Sequence, residues 1–278
     1  MSAKRAIRSA LGSLSTSVAR TRIGRVLLEE LVGTAMVRRH VVSHRGVELV
    51  FTVPNRLTYF RTATFSTKEP ETLAWIDSIP QGSVLWDVGA NVGLYSCYAA
   101  SARSCRVIAF EPSVFNLELL ARNVYLNRLT ERVTIVPLPL CEHVADSTLN
   151  MTTTQWGGAL SSFGVEHGFD GETLKKVFEF RTIGVSGDEV VTKLGVPYPD
   201  YIKMDVDGLE HLILRGGREV LKRVRSVQVE INDAFETQAQ ESRRLLEAAG
   251  LHFVSKLHSE LVNGSEVFNR TFNQVWAR

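Results

Sequence analysis

The spacing of apolar and polar positions divides most of the chain into short strands and helices that alternate. Val84-Leu85-Trp86-Asp87-Val88 is a nearly continuous apolar run, the pattern of a strand buried on both faces, and Leu94, Cys97 and Tyr98 then follow helical spacing. The unit repeats: Cys105–Phe110 reads as a strand, Val114–Asn127 as a helix with a stripe at Leu117, Leu120, Ala121 and Val124, and Val133–Val136 as a third strand. Farther on, Tyr201–Val206 and Val227–Ile231 read as strands flanking the helix Glu210–Lys222. Such βα alternation predicts an α/β fold with a parallel sheet covered on both faces. Ahead of it, Val47–Phe65 alternates loosely around Pro54-Asn55 and predicts a β-hairpin, and Thr67–Ile79 predicts a short helix. Residues 145–185 are less regular, strand-like at Ser147–Met151 and Phe178–Val185. The polar segment Gln155–Ser162 between them reads either as a loop over a substrate or as a plain surface loop.

Composition adds little to this picture except at the start of the chain. With 278 residues, 44% of them hydrophobic and 22% charged, a substantial core is expected, and a net charge of +2 gives no reason to expect nucleic acid. Cys97, Cys105 and Cys141 lack C-x-x-C spacing, and two lie in predicted core elements, so reduced thiols and a cytoplasmic location are expected. Lys4, Arg5, Arg8, Arg20, Arg22 and Arg25 all precede the first acid, Glu29, while Ile7, Leu11, Leu14 and Val18 keep helical spacing. No continuous apolar region marks a signal peptide or a membrane span. Residues 1–46 therefore read as a basic helical extension, and residues 1–28 either as an interfacial helix drawn to anionic lipid or as a solvated terminus. Residues 47–278 read as one domain, with 47–82 leading into the sheet.

Two stretches carry chemistry. The first is Asp87-Val88-Gly89-Ala90-Asn91-Val92-Gly93, an acid closing a strand followed by a turn whose glycines and Asn91 tolerate positive φ and allow close backbone approach. Its G-x-N-x-G spacing departs from the pyrophosphate-binding G-x-G-x-x-G, and the acid suits a ligand with a cationic end, such as the amino group of S-adenosylmethionine. Glu111 closes the next strand, 18 residues past Gly93, where a carboxylate accepts from ribose hydroxyls. The second stretch is Tyr201 to Glu210. Lys203 and Asp205 share a face by period two, and a buried lysine needs a partner, here Asp205 or Glu230 on the neighbouring strand. Asp207 and Glu210 have the spacing of a capping box. Asp205 is accordingly the first candidate for a general base, with Asp207 and Glu230 behind it and Lys203 as orienting partner. A divalent ion such as Mg2+, held by Asp205, Glu230 and either Asn232 or Asp207, is the alternative means of acidifying a hydroxyl. His167, His211, His252 and His258 read as structural or exposed.

Together, Asp87–Gly93, Phe110-Glu111-Pro112 and Ile202-Lys203-Met204-Asp205-Val206-Asp207-Gly208-Leu209-Glu210 resemble the FkbM family of class I S-adenosylmethionine-dependent methyltransferases. The likeness runs from about Val84 to the Phe272-Asn273…Trp276-Ala277-Arg278 ending; Asp207 stands where members often carry Glu, and residues 1–46 lie outside it. The resemblance implies a Rossmann-like, seven-stranded, mostly parallel sheet with an antiparallel last strand, placing Phe235–Ala249 as a helix, Leu251–Lys256 as a strand and Phe268–Arg278 as the terminal strand. It implies Asp87, Gly89, Asn91, Gly93 and Glu111 around S-adenosylmethionine, and O-methylation of a sugar, polysaccharide, glycolipid or natural-product hydroxyl. Two other classes share part of the pattern: an NAD-dependent oxidoreductase, and a non-catalytic adenosyl-binding scaffold. A base-flipping nucleic-acid methylase is disfavoured, since no basic stripe or Asn-Pro-Pro-Tyr motif is present.

Overall fold

The structure, a computed structural model, describes residues 12–258 and 269–278. The first two strands, Arg39–His44 (β1) and Val47–Thr52 (β2), pair antiparallel through Arg45 and Gly46, both at positive φ. The hairpin thus lies ahead of the expected Val47–Phe65, and its turn spans the expected domain boundary at residue 46. The physical reason is Asn55, whose side chain accepts from the Thr58 amide at 2.8 Å and caps the helix Arg56–Ala63. Pro54-Asn55 therefore starts a helix where a strand-to-strand turn was expected. A second helix, Pro70–Ser78, with proline in its first turn, leads into the sheet.

The central strands are Val84–Val88 (β3), Arg106–Phe110 (β4) and Val133–Val136 (β5), joined by helices Leu94–Ala102 and Val114–Leu126. After them, Leu140–Cys141 (β6), Ala145–Met151 (β7), Ser161–Phe163 (β8) and Phe178–Ser186 (β9) build a separate four-stranded sheet in the order β6-β9-β7-β8. Tyr201–Met204 (β10), Ser226–Asn232 (β11), His252–Leu257 (β12) and Thr271–Ala277 (β13) complete the main sheet, in the order β12-β13-β11-β10-β3-β4-β5. Its ladders are parallel from β11 through β10, β3 and β4 to β5, and β13 runs antiparallel to both β11 and β12. This is the Rossmann-like class I methyltransferase sheet. Phe268, the expected first residue of the last strand, lies outside the described residues.

Alternation along each strand feeds two cores. Trp86, Val88, Ile108 and Phe110 pack on the face that holds helices Glu210–Gly216 and Glu236–Ala248, while Leu85, Val107 and Ala109 face Pro70–Ser78, Leu94–Ala102 and the hairpin. Helices therefore cover both faces. The cysteines are all free, Cys97 and Cys105 buried and Cys141 half-buried. At the start of the chain, residues 12–19 are helical and Arg22–Val37 forms a longer helix. Lys4, Arg5, Ile7, Arg8 and Leu11 lie outside the described residues. No helix among the described residues is long and apolar enough to cross a membrane.

Candidate active site

A cavity of about 360 Å³ opens at the carboxyl edge of β3, β4, β10 and β11, in the size range of small-ligand sites and at the position where open α/β sheets bind ligands. Among the expected residues, Gly89, Asn91, Glu111, Asp205, Asp207 and Glu230 line it. Asp87, Gly93 and Lys203 do not.

On the β4 side, Glu111 is buried, and its oxygens accept from the amides of Asn91 (2.7 Å) and Ser113 (2.8 Å). The Asn116 side-chain amide is a third donor to this carboxylate, which with about four acceptor sites keeps room for a ligand hydroxyl. Burial pushes the Glu111 carboxyl up to about 7 against the pull of all three donors. Phe110, Leu138, Leu140 and Phe163 supply apolar wall beside it. The turn adopts its expected conformation: Gly89 has φ 82° and Asn91 φ 50°. Its glycines, however, serve contacts within the chain. A Cβ at Gly89 would lie 1.9 Å from the Asp205 carbonyl oxygen, and one at Gly93 would lie 2.5 Å from Leu120 Cδ1.

Asp87 lies behind the cavity wall. It shares the Leu85 face of β3, so its side chain turns under the helix Leu94–Ala102, where Ser96 Oγ donates to Oδ2 at 2.6 Å. Its neighbour across the ladder is Lys203, Nζ 3.5 Å from Oδ1, and Lys203 also reaches Asp205 at 3.7 Å. Of the two partners expected for Lys203, Asp205 is in ion-pair range and Glu230 is not, while Asp87 is an additional partner. Burial pulls the ammonium down, and Asp87, Asp205, Glu69 and Glu230 override it and hold it above the ordinary lysine range.

Asp205, Asp207 and Glu230 each bring a carboxylate oxygen within 4.8 Å of the others. Burial and the neighbouring Asp205 lift Asp207 to about 6, and burial with Asp205, Glu69 and Asp207 lifts Glu230 well above the ordinary carboxylate range. The capping box does not form: Asp207, at φ 59°, accepts from the Leu160 amide at 2.6 Å, and Leu209 takes the cap position without a side-chain bond. Only Glu210 reaches back, to the Val206 and Gly208 amides at 3.0 and 3.1 Å, and its helix stops at Gly216 before a short turn of helix, Arg218–Leu221. Asn232, considered as a metal ligand, uses its side chain on the Phe169 carbonyl and the Ala234 amide. His211 is buried and driven down to about 4, His167 is half-buried edge-on to Phe235, and neither lines the cavity.

The Gln155–Ser162 segment closes over this space, with Gly158, Ala159, Leu160 and Ser161 in its wall. The Gly158 carbonyl accepts from the side-chain amides of Asn91 (2.7 Å) and Asn116 (3.0 Å). Sequence reasoning missed Arg61, Lys68 and Glu69, which line the cavity from the helical segment ahead of the sheet that carries no motif, and Asn116, in the helix that follows Phe110-Glu111-Pro112. Glu69 is buried, ion-paired with Lys68 at 2.5 Å and bonded by the Tyr95 hydroxyl at 2.9 Å. Asn273, also in the wall, falls in the Phe272-Asn273 ending that the family resemblance had already singled out.

The strand order and the acid-lined cavity at its carboxyl edge define a class I methyltransferase. The chain belongs to the FkbM methyltransferase family, whose domain matches residues 87–253. It is similar to the hexuronic acid methyltransferase AglP of Haloferax volcanii, 26% identical over 200 residues that span 72% of this chain and 77% of that protein. It is also similar to the antimetabolite synthetase AmbE of Pseudomonas aeruginosa, 27% identical over 228 residues, 69% of this chain but 10% of AmbE. Among solved structures, fibrillarin of Aeropyrum pernix, in complex with S-adenosyl-L-methionine, aligns at 12% identity and a TM-score of 0.48, covering 89% of this chain and 86% of that one. Family membership answers the oxidoreductase and scaffold alternatives: the protein is a methyltransferase.

Proposed function

We propose that the protein transfers a methyl group from S-adenosylmethionine to a hydroxyl of a sugar or sugar-bearing acceptor, in a polysaccharide, glycolipid or natural product. The observation that carries this reading is one cavity with two chemically distinct ends, a buried carboxylate with apolar wall at Glu111 and a cluster of three carboxylates at Asp205, Asp207 and Glu230. Glu111 suits a ribose diol, and the apolar wall beside it suits an adenine. Bound there, S-adenosylmethionine would supply the electrophilic methyl group. The chain's own task is then to align the acceptor, exclude water and take its proton. Asp205 and Asp207 are the proposed bases; Asp207, near 6, is ionised at neutral pH yet more basic than an ordinary aspartate. Glu230, whose affinity for a proton is raised by burial and by Asp205, stands beside them at the same end of the cavity. Lys203 and Asp87 act from behind the cavity by orienting Asp205. The printed substrate of AglP, a hexuronic acid, supports a sugar acceptor.

The test is formation of S-adenosylhomocysteine with a panel of pyranosides and hexuronates. Asp205→Asn and Asp207→Asn should bind S-adenosylhomocysteine like the wild type and lose about 100-fold or more in turnover; full activity in both variants would remove the acid cluster from the mechanism. The 4.8 Å clustering favours one second reading, a magnesium ion held by the same three carboxylates, for which turnover should fall with EDTA and return with Mg2+.

The start of the chain suggests where the acceptor is met. Helix Arg22–Val37 leaves Ile23, Val26, Leu27 and Leu31 more than half exposed; Arg22 and Arg25 are balanced by Glu29 and Glu30, and the basic excess that would draw this apolar face to anionic lipid is Lys4, Arg5, Arg8 and Arg20 ahead of it in sequence. This extends the lipid reading of residues 1–28.

A further inference from the structure

Arg61 has no part in the chemistry above, yet it lines the cavity from helix Arg56–Ala63. Its Nε donates to the Gly157 carbonyl at 2.7 Å, which fixes the guanidinium against the loop that closes the site. The same helix and loop meet again where Asn55 Nδ2 donates to the Trp156 carbonyl at 2.9 Å. Among the described residues, neither Nη atom of Arg61 has a hydrogen-bond partner, and no carboxylate lies within 4.0 Å of the guanidinium. A planar fork anchored at Nε, with both Nη groups unclaimed, is the arrangement that receives a carboxylate or phosphate through two parallel hydrogen bonds.

Resting on the sugar-acceptor reading, we propose that the acceptor is anionic, and that Arg61 receives its carboxylate or phosphate while the hydroxyl faces the acid cluster. A neutral sugar forgoes two charge-assisted hydrogen bonds here. The charge also sets the acceptor's orientation, because the three carboxylates at the reacting end repel an anion and the guanidinium attracts it.

The experiment is calorimetric titration of the full chain, saturated with S-adenosylhomocysteine, with methyl glucoside, methyl glucuronide and glucose 6-phosphate. The wild type should bind one anionic sugar about tenfold or more tighter than the neutral one, and which of the two distinguishes carboxylate from phosphate. Arg61→Gln should lose that preference, Arg61→Lys should keep only part of it, and both should bind S-adenosylhomocysteine like the wild type, which reports an intact fold. Equal binding of neutral and charged sugars, or a preference that survives in Arg61→Gln, overturns the subsite and leaves the sugar reading standing. If no sugar binds, both fall together.

Discussion

Lys203 and Asp87 stand side by side on the parallel strands β10 and β3, Nζ 3.5 Å from Oδ1, with side chains no more than 5% exposed. The acid that closes the first motif strand therefore compensates a buried lysine, and the lysine in turn reaches Asp205 at the cavity wall. Removing one member of such a pair strands the other charge, whereas removing both costs far less. Lys203→Met should destabilise the protein by about 3–5 kcal/mol, and Lys203→Met with Asp87→Asn should recover much of that. Urea denaturation of the single and double variants checks this; a single variant as stable as the wild type would contradict it.

Gly89 ties the cofactor turn to the acid cluster. Its φ of 82° and the 1.9 Å from a built Cβ to the Asp205 carbonyl leave no room for a side chain. Gly89→Ala should cost about 1–3 kcal/mol and displace Asp205, so that turnover falls more than stability alone accounts for. Gly33, which has open space in its exposed helix, is the control, and Gly33→Ala should be neutral or stabilising. Thermal unfolding and initial rates separate the two effects, and an active, stable Gly89→Ala protein would contradict the contact.

Much of the fold was legible because parallel strands buried on both faces are largely apolar runs, as in β3 and β4, while in β10 and β11 the polar Lys203, Gln228 and Glu230 alternate with apolar residues at the strand period. The hairpin was not, because β1 reads Arg39-His40-Val41-Val42-Ser43-His44, too polar for the pattern, and because Asn55 has the same turn chemistry whether it bends a hairpin or caps a helix. In the site, acids at strand ends were legible by position. That Asp87 does not line the cavity follows from period two, which puts it on the Leu85 face of β3, away from Trp86 and Val88. Asp207 was named both as a candidate base and as a helix cap; at φ 59° it lies two residues before the actual cap, Leu209, and faces the cavity. Arg61, Lys68 and Glu69 carry no local signal, since only the packing of the segment ahead of the sheet brings them to the cavity.

Glu111 gives the stability a defined pH dependence. In the fold its burial raises the carboxyl from an ordinary 4.5 to about 7, so between these values the folded protein keeps a proton that the unfolded chain has released. Stability contributed by Glu111 is thus present below about 4.5 and is lost as pH rises to about 7. Glu111→Gln has nothing to titrate there, and its melting temperature should fall less than that of the wild type between these pH values. Parallel profiles for the two proteins would contradict the raised carboxyl.

The exposed aliphatic side chains of helix Arg22–Val37, together with the basic residues Lys4, Arg5, Arg8 and Arg20 ahead of it in sequence, predict binding to vesicles that contain anionic lipid and little binding to neutral ones. Leu27→Asp with Leu31→Asp should abolish co-sedimentation while leaving turnover of a water-soluble acceptor unchanged. Equal sedimentation of the wild type and this variant would remove lipid as the partner of that face.

The most direct measurement is calorimetric titration of the purified protein with S-adenosylmethionine, S-adenosylhomocysteine and NAD, alongside Glu111→Ala. The account predicts one-to-one micromolar binding of the two adenosyl ligands, none of NAD, and a loss of about tenfold or more in Glu111→Ala. Adenosyl binding that is unchanged in Glu111→Ala, or no adenosyl binding by the wild type, would contradict the assignment of this cavity to the methyl donor.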